Sequence, residues 1–248
     1  MNARDPLTMD AAAHDVDTRM AALQWPQIES ELDAQGAALL PRLITPDECR
    51  SLAALYDDDG AFRSTVVMAR HGFGQGEYRY FRYPLPPLIG ALRRAVYPHL
   101  VPMANRWHEA MGLATRFPPS HDAWIRHCHA IGQQRPTPLL LRYGAGDYNC
   151  LHQDVYGAAV FPLQLVLLLS HPGRDFDGGE FVMTEQRPRL QSRAMVLPLR
   201  QGDGALIAVR QRPVRGARGF YRVNLRHGVS SVRSGQRFTA GVIFHDAA

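Results

Sequence analysis

Residues 137–170, TPLLLRYGAGDYNCLHQDVYGAAVFPLQLVLLLS, change the texture of the chain. Before them the sequence reads as helices with a few strands. From Thr137 onward, short apolar runs are cut by Gly and Pro, which predicts strands near 138–144, 150–155, 160–170, 179–184, 194–198, 204–209, 221–228 and 236–245. Eight short strands with no helical period among them describe a jelly-roll or cupin-like double sheet, a double-stranded β-helix. The same stretch sets His152 and Asp154 one residue apart. With 11 His and 16 Asp in 248 residues, about 0.7 His-x-Asp triplets arise by chance, so this pair needs support from elsewhere in the chain.

Upstream, the spacing of Met20, Leu23, Trp25, Ile28 and Leu32 predicts helix over 15–35, and GAALLPRLI (36–44) reads as a short strand. Thr45-Pro46-Asp47-Glu48 has the form of a helix start, with Thr as N-cap, Pro in the first turn and Glu three residues on. That helix runs to about Tyr56. RSTVVMAR (63–70) and YRYFRY (78–83) flank HGFGQGE (71–77), giving two strands around a Gly-rich loop that is a candidate lid. Helices follow over Ile89 to Gly112 and from Ser120 or His121 to about Gln133. The expected fold is therefore mainly β with flanking helices (α+β), one domain over 1–248. Residues 1–136 form a helical N-terminal support and 137–248 the β-helix core.

An apolar content of 46% in 248 residues supports one sizeable core. No run approaches the ~18 apolar residues of a membrane span, and MNARDPLTMDAAAHDVD lacks the pattern of a secretory leader. Three cysteines without a CxxC argue against a disulfide framework or a thiolate zinc site, so a reducing cytoplasm is the expected compartment. No obligate protein partner is evident. The net charge of +5 is regional: residues 1–62 hold 4 Arg against 12 acidic residues, whereas 187–237 hold 12 Arg against Asp203 alone. A basic region is one footprint of an anionic partner. All 28 cationic residues are Arg, which also fits a compositional bias of the source genome.

His-x-Asp gains meaning from NLRHGVSSVRSGQRFTAGVIFHDA (224–247), which supplies His227 and, ten residues later, Arg237. Two imidazoles and one carboxylate on one face of an octahedral iron leave three open positions, the facial triad of non-heme Fe(II) oxygenases. If the chain turns as a hairpin at Ser234-Gly235, His227 lies opposite position 241 or 242. Arg237 is then four or five residues, about 13–17 Å, along the partner strand. That gap fits a metal-bound five-carbon dicarboxylate gripped at its far end by a forked guanidinium. Thr239 shares the face of Arg237, Tyr143 is a candidate third donor, and Gln164 points into the barrel or completes a core hydrogen bond. The pairs His127 and His129, at i and i+2 on a helix, and His245-Asp246, adjacent near the terminus, are poor ligand sets.

Together, His152-x-Asp154, His227 and Arg237-x-Thr239 resemble the 2-oxoglutarate- and Fe(II)-dependent dioxygenase superfamily over 137–248. RYGAGDYNCLHQD and RHGVSSVRSGQRFTAGVIFHDA are similar to a bacterial family of such oxygenases tied to nucleic acids and oxidative removal of methylation damage. The first stretch is also similar to the AlkB-type demethylases, departing from them at Leu141, where they have Asn, and at Asn149, where they have Leu. The His227–Arg237 spacing is similar to prolyl-hydroxylase-like members. The resemblance implies Fe(II) at His152, Asp154 and His227, 2-oxoglutarate held by Arg237 with Tyr143, Thr239 and Gln164 nearby, and molecular oxygen as cosubstrate. The cosubstrate would leave as succinate. The expected substrate is a methylated base in single-stranded or damaged nucleic acid, its methyl lost as formaldehyde. Arg210, Arg212, Arg215, Arg218 and Tyr221, in RQRPVRGARGFYR (210–222), are candidates to touch phosphates and bases. A peptidyl prolyl-type hydroxylase and a non-catalytic cupin-like binding module are the alternatives.

Overall fold

The computed structural model describes residues 15–248; residues 1–14, most of the segment read for a leader, lie outside it. Two antiparallel sheets dominate. The larger runs, in hydrogen-bonded order, through Ala37–Leu40, Gly204–Ala208, Leu163–Leu168, Arg237–Ile243, Leu139–Tyr143, Glu77–Phe81 and Phe62–Val67. The smaller runs through Arg193–Leu197, Phe181–Gln186, Gly219–Val229, Tyr148–His152 and Gly74–Gln75, with Gln211–Gly216 also pairing Gly219–Val229. Leu163–Leu168 is buried along its whole length, as its unbroken apolar run demands. Residues of both sheets line one cavity, so the architecture is the jelly roll expected from the strand pattern.

The expected hairpin between His227 and Arg237 does not form. The strand of His227 pairs with Tyr148–His152 and Phe181–Gln186, whereas Arg237–Ile243 lies in the other sheet between Leu139–Tyr143 and Leu163–Leu168. Between them, Val232–Gly235 pairs with Phe176–Gly178 as a separate two-stranded ladder. Gly235 permits the crossing: its φ is 78°, and a Cβ there would lie 2.1 Å from the Asp175 carbonyl oxygen. His227 and Arg237 therefore face each other across the barrel.

The Arg-rich segment 210–222 is part of the smaller sheet. It forms a hairpin, Gln211–Gly216 against Gly219–Val229, because alternate residues Arg212, Val214, Tyr221 and Val223 pack inward while Arg215, Phe220 and Arg222 stay exposed.

Helices flank the barrel. The predicted capping box is present: Thr45 Oγ1 accepts from Glu48 N and the Glu48 carboxylate accepts from Thr45 N, opening Pro46–Ala54. The predicted helix over 15–35 is broken; residues 15–22 are helical and Trp25–Gln35 follows, with Pro26 in its first turn where a missing N–H costs nothing. Pro87–Ala110 buries Ile89, Leu92, Val96, Leu100, Met103 and Trp107 at spacings of three and four.

Arg93, on that buried stripe, is charged. Its Nε donates to the Ile243 carbonyl (2.8 Å), Nη2 to Asp246 Oδ1 (2.7 Å) and Nη1 to the Tyr83 hydroxyl (3.0 Å). Asp246 Oδ2 meets His129 Nε2 at 2.8 Å and the Tyr83 hydroxyl at 2.8 Å. Of the two histidine-containing motifs discounted as ligand sets, His129 and Asp246 thus tie both long helices to the end of the Arg237–Ile243 strand.

Removing one member of a buried pair strands the other charge. Asp246→Ala is expected to cost about 3–5 kcal/mol in urea unfolding, with Arg93→Met less damaging because the carboxylate it leaves behind keeps the Tyr83 hydroxyl and His129 as partners.

Burial also pushes His121 and His245 down to about 3, from an ordinary value near 6.5. Between those pH values the unfolded chain binds protons that the folded chain refuses, so stability is complete above about pH 6.5 and declines as pH falls toward 3. Thermal midpoints measured across that range should fall with acid, and His121→Gln should flatten the slope.

Candidate metal centre

His152 ends the Tyr148–His152 strand, and its Cα partner across the ladder is His227. The pairing is irregular: Val229 pairs with Asn149 and His227 with His152, two residues on one strand against three on the other. That bulge lets Asn149 and His152, an odd number of residues apart, both line the cavity, which a regular strand forbids. Asp154 follows in the loop. Candidate ligand atoms of His152, Asp154 and His227 all lie within 4.8 Å of one another; Asp154 Oδ1 is 3.4 Å from His152 Nε2, and Oδ2 is 3.1 Å from His227 Nε2.

The surroundings set the protonation of each group. His152 Nδ1 donates to the Cys150 carbonyl at 2.8 Å, which aims Nε2 at Asp154 and leaves it to serve a metal as a lone-pair donor once its proton is displaced. Burial opposes ionisation of Asp154, but hydrogen bonds from His152 and His227 outweigh it and hold the carboxyl well below the ordinary range. Burial also opposes charge on His152, which Asp154 nevertheless carries above its usual value, while His227 is driven below by burial. Two further donors fix the carboxylate: Tyr156 Oη to Oδ1 and Gln164 Nε2 to Oδ2, each at 2.8 Å. Burial and the neighbouring Asp154 charge raise the Tyr156 phenol well above its ordinary value, so it stays a donor.

Across the cavity stands Arg237, 1% exposed. Its register partner is Tyr143, whose ring centroid is 5.6 Å from the guanidinium carbon, with the Phe176 ring at 5.7 Å. Nη1 donates to Thr239 Oγ1, and Nε has no partner. Burial lowers its pKa to about 10, and burial raises Tyr143 to about 12. Asn149 Nδ2 donates to the Tyr143 hydroxyl at 3.4 Å. A desolvated guanidinium answered by one hydroxyl and two ring faces is under-compensated, and a carboxylate is the ligand that satisfies it.

The cavity measures about 190 Å³. His152, Asp154, His227, Arg237, Tyr143, Thr239 and Gln164 all line it. The donor set and the orphaned guanidinium fit Fe(II) and an α-keto dicarboxylate, with the three protein ligands leaving positions open for cosubstrate and oxygen.

Sequence reasoning missed Tyr156, two residues beyond Asp154, and Asn149, whose inward aim needs a bulge that no periodicity reveals. It also missed Gly179. With φ at 59°, a Cβ there would sit 2.9 Å from Arg237 Cδ, so Gly179 makes room for the arginine.

The basic candidates separate. Arg212 is 2% exposed; it pairs with Glu185 and donates to the carbonyls of Asp33 and Ala34 at 2.8 and 2.9 Å, so it holds the Trp25–Gln35 helix and is withdrawn as a nucleic-acid contact. Tyr221 packs on the core and is withdrawn too. Arg215 and Arg218 are exposed near the hairpin tip, with Arg218 nine residues, about 30 Å, from His227 along the strand. Arg210 is exposed and lines a different groove.

Fold and site together define a jelly-roll oxygenase of the 2-oxoglutarate- and Fe(II)-dependent superfamily. Residues 76–247 match the family model Oxygenase-NA, an oxygenase catalysing oxidative methylation of damaged DNA, and the chain belongs to that family. Two uncharacterized proteins of Mycobacterium tuberculosis are 50% identical over 168 residues, 68% of this chain and 72% of theirs. Among solved structures, a Trichoplax adhaerens prolyl hydroxylase in complex with a peptide fragment of hypoxia inducible factor shares the fold at TM-score 0.55 and 12% identity, covering 96% of this chain and 92% of that one. A Phytophthora capsici prolyl 4-hydroxylase does so at TM-score 0.51 and 15% identity, covering 97% and 65%. Among the described residues, no helix is long and apolar enough to cross a membrane.

Arg237→Met should move two properties in opposite directions. Relief of the buried, under-partnered cation is expected to stabilise the ligand-free protein by about 1–3 kcal/mol. The thermal shift produced by 2-oxoglutarate in the wild type should be lost, while Fe(II) binding survives. His152→Ala should lose Fe(II) binding.

Proposed function

We propose that the protein oxidises a methylated base in single-stranded or damaged nucleic acid, using Fe(II), 2-oxoglutarate and molecular oxygen, and so removes the methyl group. The observation that carries the oxygenase chemistry is the orphaned Arg237 guanidinium set across one cavity from the His152, Asp154 and His227 donors. Support for the substrate class comes from the family description, which names damaged DNA.

Bound Fe(II) supplies oxygen activation coupled to decarboxylation of the cosubstrate. The chain supplies the rest. Tyr156 and Gln164 hold the Asp154 carboxylate in one orientation. Arg237 and Thr239 receive the distal carboxylate of 2-oxoglutarate, and Tyr143, kept protonated by burial, can add a third donor. Apolar walls from Leu139, Leu141, Val166 and Phe181 exclude water from the reacting C–H bond. Hydroxylation of an N-methyl group gives a carbinolamine, which releases formaldehyde and leaves the unmodified amine. A base stacked in a duplex cannot enter such a cavity, so an extruded or unpaired base is the form that fits.

The test measures succinate and formaldehyde with a panel of methylated single-stranded oligonucleotides and proline-containing peptides, with mass spectrometry of each substrate. Formaldehyde released in step with succinate from an oligonucleotide, and abolished in His152→Ala, is the expected result. Gain of one oxygen on a peptide, with every oligonucleotide unchanged, would replace this reading with peptidyl hydroxylation.

A further inference from the structure

The cavity opens beside an unusual strip of surface. Of nine exposed large hydrophobic side chains among the described residues, four are Phe73, Tyr148, Leu151 and Val155, placing them on or beside the strand that carries His152. Phe73, 45% exposed, lines the cavity itself. Its backbone is pinned: Phe73 N donates to the Met68 carbonyl (3.1 Å) and the Phe73 carbonyl accepts from Cys150 N (2.9 Å). The His71 ring stacks on it at 5.3 Å and 23°, so the ring is backed and its loop is fixed.

Next to this mouth, on the smaller sheet, lies a groove of about 420 Å³ whose lining includes Leu151, Arg210, Asn224 and Arg226 and no acidic residue. Arg210 and Arg226 are exposed, and among the described residues neither pairs with a carboxylate, unlike Arg212, Arg187 and Arg233 of the same region. Gln153 borders both the groove and the catalytic cavity. Its Nε2 donates to the Leu225 carbonyl (2.8 Å) and the Arg210 carbonyl (3.2 Å), which fixes the wall the two spaces share. The groove thus adjoins the cavity at Gln153, and it is cationic with no acidic residue in its lining.

We propose that this groove is the track for the phosphodiester backbone of a single-stranded nucleic acid, with Arg210 and Arg226 on its phosphates and the target base passing Phe73 into the cavity. The inference rests on the nucleic-acid reading above. Unpaired guanidinium groups beside an exposed ring are the combination that binds single strands, charge tracking the backbone and the ring stacking a base. A cavity wall shared with the track lets one nucleotide leave the strand while its neighbours stay bound.

The experiment is fluorescence anisotropy of the full chain with a labelled single-stranded deoxyoligonucleotide of about 8 nucleotides, titrated at several salt concentrations. It compares the wild type, the double variant Arg210→Gln with Arg226→Gln, Phe73→Ala, and the tip double variant Arg215→Gln with Arg218→Gln, all checked for unchanged thermal midpoints. The groove variant should lower the slope of log affinity against log salt by about 1.4, since each lost phosphate contact removes about 0.7. Phe73→Ala should weaken binding about tenfold with its salt slope kept, and the tip variant, which removes the same charge far from the mouth, should leave the slope intact. Wild-type binding with equal slopes for groove and tip variants overturns the track and leaves the proposed function standing. Absence of wild-type binding at low salt overturns the nucleic-acid reading and the track together.

Discussion

A guanidinium buried in a small cavity, answered by a single hydroxyl, is the constraint around which this barrel is organised. Arg237 is 1% exposed and its Nε is unpartnered; without a ligand, such a group costs stability. The fold accommodates it with ring faces from Tyr143 and Phe176 and with Gly179, where any side chain would press on Arg237 Cδ. The larger sheet sets Arg237 in register with Tyr143 and brings Thr239 to the same face. What makes the site costly when empty is what makes it bind a dicarboxylate.

Stability lost at the cavity has to be made up elsewhere, and two other buried arginines show how. Arg93 is satisfied by the Ile243 carbonyl, Tyr83 and Asp246. Arg212 also leaves its Nε unpartnered, but its two terminal nitrogens reach the Glu185 carboxylate and the carbonyls of Asp33 and Ala34, the last turn of a helix, where a cation also meets the negative end of the helix dipole. Each bonds several acceptors lying in different directions at once, which a planar fork does and an ammonium point charge does not. Through them the larger sheet is fastened to the long helices and the smaller sheet to Trp25–Gln35. Three buried arginines therefore differ by their partners alone: two are paired and tie helices to the barrel, and one is left open toward the cavity.

That difference marks how far the sequence could be read. Strand alternation, the Thr45–Glu48 capping box and the unbroken run Leu163–Leu168 follow local periodicity, so the jelly roll with flanking helices was legible. His152, Asp154, His227 and Arg237 were legible as a set because ligand chemistry restricts residue type and order. Their relative placement was not. A ten-residue separation was read as one hairpin, whereas the chain crosses between sheets at Gly235, and nothing within 227–237 specifies that Phe176–Gly178 will capture Val232–Gly235. Asn149 was invisible as a pocket residue because its orientation depends on one extra residue in a ladder. The Arg-rich segment misled for a related reason: composition counts charges but does not say which ones already have partners.

Pairing rather than charge density is thus what distinguishes the arginines of residues 187–237. Arg187, Arg193 and Arg212 converge on Glu185, Arg233 is engaged by Asp177 and Glu180, and Arg222 donates to the Met111 carbonyl. A positive tract with its charges committed in this way has less attraction for a polyanion than its sum implies, because each internal anion already neutralises part of the field. Arg210 and Arg226 are the exception next to the cavity, in a groove that meets the cavity at Gln153. Position and freedom from partners, taken together, reduce a regional excess of charge to two residues in one groove that borders the cavity.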